Sequence, residues 1–535
     1  MPEVSAVEKT RAPVRSVVAF RYSIFVTVLA FVLIGLLFLP RLGFEYDEVM
    51  FAPLIFHPER SLFAARISHH LVPLMQMSYI GALKIWLYSP LLRLFRPGAY
   101  AVRLPMLLLA GMTILILAET VRWRASVRAA IFTAVVAATD IGFLLTSTFD
   151  WGPVAIQNFL LAVALYCILA RRKTVSGVSL AAFALGLALW DKAIFLWIFI
   201  GLCVSGLTFG FHVVRREASF KNVAAMAIAF TVAISPLIVY NVKRRNQTLG
   251  NNAHFTLAEL GPKFTFVRIA LNGQAFHQFF ADESAPIERN APVSFLPNPS
   301  NWRFLAFSFL LIAGIASARW ENRRLILWLF CAVLLGWFQS AITKGAGVFI
   351  HHVVIFYPAL FLAVGLAAEE IAGRLRGAGT TFLAVTGALL CVAGLNTVAV
   401  QFRNLRHFSP TTFWTDADLP LAKYLAAHPS RHILVADWGI ATAIDTRTSG
   451  SLPTEEISFG LKDGSCTSQQ MRAWAESHSF LVLHTRNHEM FPGQRAKLAE
   501  LAKANGVTVE PVTTIADRAG HPMFEIDTLA RSPRS

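Results

Sequence analysis

The sequence predicts an α-helical integral membrane protein of about eleven transmembrane helices, with further helices at the outer face and a small soluble C-terminal α/β domain. Three observations carry this. Of 535 residues, 55% are hydrophobic and only 15% charged, with a mean hydropathy of +0.54. The apolar residues come in blocks of about 20, the helix length that spans the roughly 30 Å hydrocarbon layer. The basic residues stand in short clusters between those blocks, which is the pattern of membrane topology.

The blocks fall at about 17–40, 102–121, 128–147, 152–170, 176–191, 193–211, 222–241, 303–318, 324–342, 350–369 and 380–401. Lipid offers no partner to backbone N–H and C=O groups, so such blocks are expected to be helices. The first is too long for the core of a signal peptide and lacks a small-residue cleavage site, so it is expected to be retained.

Positive charge orients the spans. Lys9, Arg11, Arg15 and Arg21 come at the first span. Alternate loops then carry Arg122/Arg124/Arg128, Arg171/Arg172/Lys173, Arg215/Arg216/Lys221, Arg319/Arg323/Arg324 and Arg374/Arg376. By the positive-inside rule these share the cytoplasmic side. The N-terminus is then cytoplasmic and the C-terminus extracytoplasmic, in a plasma membrane of the bacterial inner-membrane kind.

Residues 71–95 are apolar enough to form another span. Inserting them would flip every later loop and place five basic clusters outside. The block holds Lys84, Arg93 and Arg96 beside Tyr and Trp, so it is expected to lie in the outer interface as an amphipathic helix with snorkelling basic side chains.

Two domains follow: a membrane domain over 1–401, with outer loops at about 41–101 and 242–302, and a soluble extracytoplasmic domain over 402–535. In the latter, apolar runs shorten to strand length (HILVAD, FLVLHT, VTVEPV, MFEID), and QRAKLAELAKANG reads as a helix with an Asn-Gly stop.

The net charge of +16 does not point to nucleic acid, because the basic residues are topological rather than gathered in a patch. Cys167, Cys203, Cys331 and Cys391 lie inside apolar blocks and Cys466 stands alone, so neither a disulfide framework nor a Cys-rich metal site is expected.

The acidic pair Asp47-Glu48, in FEYDEVMF just after the first span, reads either as a solvated loop pair or as a general base at the membrane surface. In the second case partial desolvation raises a carboxyl pKa toward a useful range. Asp150, in STFDWGP, reads as a helix cap before Pro153, which does not exclude a role in a site. Asp191-Lys192 in LALWDKAIF is either a plain turn or a functional ionisable pair at membrane depth. Lys344, His351 and His352 form a third outer group, in TKGAGVFIHHVVIFYP; the vicinal histidines lack metal-binding spacing. All these residues fall on one face of a topology set by other residues. Acids and cations at one membrane surface suit a lipid-phosphate substrate, with cations holding the phosphate and an acid handling a proton.

The order of a first span, an acidic pair, an apolar interfacial segment and then Arg103-Leu104-Pro105 resembles the C-type integral membrane glycosyltransferases of family 39. That family includes protein O-mannosyltransferases and the lipid A aminoarabinose transferase. Asp150 before a Pro, Lys192 after a Leu-rich span and His351 to Pro358 before a late span are further echoes. The resemblance covers about residues 17–400. It implies the C-type glycosyltransferase fold and inverting transfer of a sugar from a polyprenyl-phosphate carrier to a glycan, lipid or protein acceptor at the outer face. Asp47 matches the catalytic base, with Glu48 beside it. Charge on the leaving lipid phosphate would fall to Lys192, then His352, His351 and Lys344, with Asp150, Asp191, His70 and Arg66 completing the substrate-binding set.

The chain departs from the family pattern at two places. It has His70-Leu71-Val72-Pro73-Leu74 where members often have His-Pro-Pro-Leu. It also has His351-His352 where members often have Arg-Tyr. If the histidines hold the phosphate, donor affinity should fall as pH rises past about 6.5.

No cofactor is called for beyond the lipid-linked donor. His57, His69 and His70 permit a divalent metal without indicating one. Two other readings stay open. One is a polysaccharide ligase or polymerase with a lipid-diphosphate donor, which does not require the acidic pair. The other is a transporter or flippase, which would place charges near the midplane.

Overall fold

The structure is a computed structural model of the chain, describing residues 14–217, 219–280, 300–407, 410, 412–429 and 431–531. Long helices run over Val14–Phe38, Ala99–Arg124, Val154–Tyr166 (continued by a π turn at Cys167–Arg171), Val175–Asp191, Leu196–Glu217 and Phe220–Lys243. Others follow at Arg303–Ser317, Trp320–Ile342, Tyr357–Arg374 and Gly379–His407. Among the described residues, seven helices are long and apolar enough to cross a membrane, or eight if the bent pair Val127–Ala138 and Ile141–Phe149 is one span. Val175–Asp191 and Arg303–Ser317 are apolar but shorter.

The bent pair occupies the block at 128–147, and its 62° bend has a local cause. Asp140 caps the second helix by accepting from the Phe143 N–H at 2.9 Å. Arg303, fully buried, donates to the carbonyls of Thr139 and Val136 that the break leaves open, with Asp140 3.7 Å away. A side chain inserted at the carbonyls of an interrupted helix is a known source of such kinks.

Basic clusters meet at one end of the bundle. Arg128 pairs with Glu369 at 3.0 Å, Arg374 donates to the Ser317 carbonyl at 2.9 Å, and Arg324 to that of Phe209 at 2.8 Å.

At the other end, the block at 71–95 departs from the expected single interfacial helix. Its first part is strand. Phe63–Ile67 (β1), His70–Met77 (β2) and Ile80–Gly81 (β3) form an antiparallel sheet in the order β1-β2-β3, and only Leu83–Leu94 is helical. The indole N–H groups of Trp86 and Trp190 bind the carbonyls of Pro73 (2.8 Å) and Leu74 (2.9 Å), tying the sheet to the helices beneath it. Lys84 does not snorkel either: it is 4% exposed and points inward.

The C-terminal region carries a second sheet. Ile433–Val435 (β4), Thr454–Glu456 (β5), Phe480–His484 (β6), Val507–Ala516 (β7) and Pro522–Arg531 (β8) lie in the order β5-β4-β6-β8-β7, with β4 to β6 parallel and β7 and β8 antiparallel. Helices such as Gln494–Ala504 flank it. The short strand β5 has no apolar run in the sequence to announce it.

This region is fastened to the loop after the first span. The Gly43 N–H donates to the Trp414 carbonyl at 2.8 Å, and the Phe44 N–H to Asp418 Oδ2 at 3.0 Å. Arg447 pairs with Asp418 at 2.8 Å while lying 3.8 Å over the Phe44 ring. Arg60 reaches Asp445 at 2.8 Å.

Candidate active site

The acidic loop is one helical turn, Tyr46–Val49, started by Glu45. Glu45 and Glu48 form a reciprocal capping box: Glu45 accepts from the Glu48 N–H at 3.1 Å, and Glu48 from the Glu45 N–H at 3.4 Å. The turn projects Asp47 away from the Glu48 side. Asp47 and Glu48, adjacent in sequence, therefore meet different surroundings.

Glu48 is completely buried and held by both arms of Arg103, at 2.5 and 2.8 Å. The same guanidinium donates to the carbonyls of Leu39, Leu42 and Gly43. Arg103 thus meets all its hydrogen-bonding needs while joining the end of the first span, the acidic loop and the next span. A fork of this kind fixes geometry as well as charge.

Asp47 is half-buried and its carboxylate has no hydrogen-bond or ion-pair partner among the described residues. Burial pushes its pKa above the ordinary carboxylate value, and the charges of Lys192 and Lys84 pull it back.

Lys192 begins the turn after Val175–Asp191, and that turn is held from three sides. Gln157 donates to the Lys192 carbonyl at 2.8 Å, Lys192 bridges to Ile80 of β3, and the Ala193 N–H donates to the Tyr79 carbonyl at 2.8 Å. The Lys192 side chain is 2% exposed, yet its ammonium has no hydrogen-bond partner among the described residues. It stands where a side chain at Gly152 would be, beside the His351 ring. Burial lowers its pKa, and Asp47 ahead of Asp191, Asp150 and Glu45 raises it.

Asp150 adopts a left-handed backbone (φ 45°) at the end of Ile141–Phe149. Its Oδ1 accepts from the Ala155 N–H at 2.9 Å, which is the capping role expected from sequence, reaching from further upstream. Its Oδ2 pairs with Lys84 at 2.5 Å. Lys84 in turn donates to the Glu48 carbonyl at 3.0 Å and lies 4.4 Å over the Phe51 ring. Asp191 is 1% exposed, with neither carboxylate oxygen partnered among the described residues.

The histidines are inside the site but not as free cations. His351 lies parallel to Phe349 with 5.6 Å between ring centres, and against Trp151 at 4.9 Å. His352 Nδ1 accepts from the Gly347 N–H at 3.1 Å, so that nitrogen carries no proton and the ring is neutral. The expectation of a charged His pair does not fit this geometry.

Three candidates lie apart. Lys344 is exposed, and its backbone N–H donates to the His254 carbonyl at 2.7 Å. Arg66 and His70 flank the exposed β1–β2 turn, and their side chains make no hydrogen bond or ion pair among the described residues. Among the described residues no group of three or more His, Cys, Asp or Glu is placed to hold a metal ion.

Sequence reasoning missed Lys84, Glu45 and Gly152, and took Arg103 only as part of a motif. Glu45, three residues before Glu48, had the spacing of a capping box. Gly152 beside a Pro offered no signal of what would fill its space.

No protein-family model and no curated protein matches the sequence. Solved structures do match. ArnT from Cupriavidus metallidurans bound to undecaprenyl phosphate superposes with a TM-score of 0.59 at 14% identity, over 96% of this chain and 98% of that one. The fold is that of the C-type membrane glycosyltransferases. The apo state of the same ArnT matches with a TM-score of 0.55 at 14% identity, over 95% of this chain and 97% of that one. At this identity the likeness to the C-type enzymes is one of fold, and it extends through the C-terminal region.

Proposed function

We propose that this chain is an inverting glycosyltransferase that moves a sugar from a polyprenyl-phosphate carrier to an acceptor hydroxyl at the extracytoplasmic face of the membrane. The observation that carries the reading is the pair Asp47 and Lys192. Each is a charged group left without a hydrogen bond among the described residues, and each influences the ionisation of the other. The undecaprenyl phosphate bound by the structurally similar ArnT supports the choice of carrier.

In this reading Asp47 takes the proton from the acceptor hydroxyl as its oxygen attacks the anomeric carbon. The bond from that carbon to the phosphate oxygen breaks, and the electron pair leaves with the lipid phosphate. Lys192 stabilises the charge that develops there, in a buried setting where an ammonium acts more strongly than in water. Glu48 and Arg103 position Asp47, and Asp150 and Lys84 hold the neighbouring turn. No strong general acid is needed, because the lipid phosphate monoester leaves as a stable anion.

The eleven-span topology, the cytoplasmic N-terminus and the division at about residue 401 belong to the same proposal. So does the placement of the C-terminal region over the site on the acceptor side.

The test is transfer from a synthetic polyprenyl-phosphate sugar by purified protein. Asp47→Asn should lower the rate by about 10²–10⁴-fold, the usual worth of a positioned base, with lipid binding retained. Wild-type transfer by Asp47→Asn would remove Asp47 from the mechanism.

A further inference from the structure

Between the acidic loop and the C-terminal region lies a small, partly open cleft that the chemistry above does not use. Its walls are largely aromatic: Phe44 and Tyr46 from the loop, Trp438 and Phe524 from the C-terminal region, with the Tyr46 and Trp438 rings 4.4 Å apart. An aromatic lining with a few convergent polar groups is that of a small-molecule site.

Three buried polar side chains line the same cleft, and among the described residues one of their atoms, Asp418 Oδ1, is buried without a partner. Asp418 is 3% exposed; its Oδ2 takes the Phe44 N–H and Arg447, and its Oδ1 has no partner among the described residues. Glu45 is 2% exposed; its Oε2 takes the Glu48 N–H, and no hydrogen bond reaches Oε1 among the described residues. His484 is 4% exposed and bonds Asp437 through Nδ1 at 2.8 Å. Asp437 also accepts from the Trp438, Met490 and Phe491 N–H groups, so it binds a proton-bearing Nδ1 of the imidazole and leaves Nε2 for another polar partner. Buried polar atoms are rarely left without partners, and each such case calls for a missing one.

These atoms describe the ligand. Asp418 Oδ1 needs a donor, and His484 Nε2 takes a polar group. Burial and the neighbouring Asp47 push the Glu45 carboxyl well up, which lets it donate as well as accept. A ligand for this cavity therefore brings several O–H groups that both donate and accept, on a body with an apolar face for the aromatic rings. A pyranose ring has both properties.

We infer that this cavity is a saccharide subsite, taking a neutral sugar ring of the acceptor and holding it one residue from Asp47. The identification of that sugar as the acceptor rests on the glycosyltransferase reading; its binding does not. Part of the wall is Glu45-Tyr46, so an occupied cavity also braces the turn that carries Asp47.

The experiment measures binding without turnover, by saturation-transfer NMR of methyl α-D-glucopyranoside, methyl α-D-mannopyranoside and methyl β-D-xylopyranoside on the full chain in lipid nanodiscs. His484→Asn keeps a donor to Asp437 and removes Nε2; Ala443→Leu fills the cavity from one wall. At least one glycoside should bind the wild type and Asp47→Asn alike. Both cavity variants should lower that signal by at least tenfold while keeping the wild-type melting temperature to within a few degrees. If no glycoside binds the wild type, or if the two cavity variants bind as the wild type does, the subsite is disproved. If glycoside binding behaves as expected while Asp47→Asn still transfers sugar, the catalytic reading fails and the subsite stands.

Discussion

The ammonium of Lys192 occupies the space that a side chain at Gly152 would require. The two residues are forty apart in sequence and lie in different inter-helix turns. Gly152 also has φ +57°, where an L side chain is strained. Gly152→Ala therefore adds about 1–2 kcal/mol of backbone strain and displaces the cation. We expect at least a tenfold loss of transfer. Gly464→Ala is the control, because Gly464 has φ +78° with nothing within 4 Å of the added Cβ. It should carry the strain and leave transfer within about twofold of wild type.

Asp47 and Glu48 should separate cleanly. Glu48→Ala leaves the fully buried Arg103 charge without its carboxylate, a change that costs about 3–5 kcal/mol. Its melting temperature should fall sharply. Asp47→Asn removes no hydrogen bond or ion pair made among the described residues and should melt close to wild type while losing transfer. Equal melting temperatures for the two variants would remove the structural role given to Glu48.

The pH profile follows from the Asp47 carboxyl, raised by burial and pulled down by Lys192 and then Lys84. A base acts when deprotonated, so kcat/KM should fall as pH drops through that raised pKa, above the usual aspartate range. Lys192→Met removes the larger of the two lowering charges. Its residual activity should show the acid limb displaced to higher pH, whatever its amplitude. An unmoved limb would uncouple the two residues.

Donor affinity should be flat from pH 5.5 to 8 when a polyprenyl-phosphate sugar is titrated into the Asp47→Asn variant. His352 Nδ1 accepts the Gly347 N–H and His351 is stacked on Phe349, so neither ring gains a proton easily beside Lys192. Affinity that declines through pH 6.5 would restore the charged-histidine expectation drawn from the sequence.

Most helices were legible because each is a local pattern. An apolar block of membrane length has one low-energy conformation in lipid whatever its neighbours do, and the observed helices follow the expected blocks closely. Residues 71–77 were not legible. An apolar stretch of that length suits a strand as well as a helix, and the strand is stabilised by β1 and by the distant Trp86 and Trp190 side chains. Lys84 was misplaced for the same reason: its partner Asp150 lies 66 residues away in sequence.

The sequence by itself determined the membrane class, the places of the helices and the strip of acids and cations at one end of the bundle, because hydropathy and charge spacing are properties of short segments. The tertiary structure alone decided the role each of those charges can take. A carboxylate becomes a strut when a buried guanidinium saturates it, as Arg103 does Glu48, and a candidate base when it is left open, as Asp47 is. Desolvation and pairing depend on groups brought together from across the chain, and no local pattern of residues encodes them.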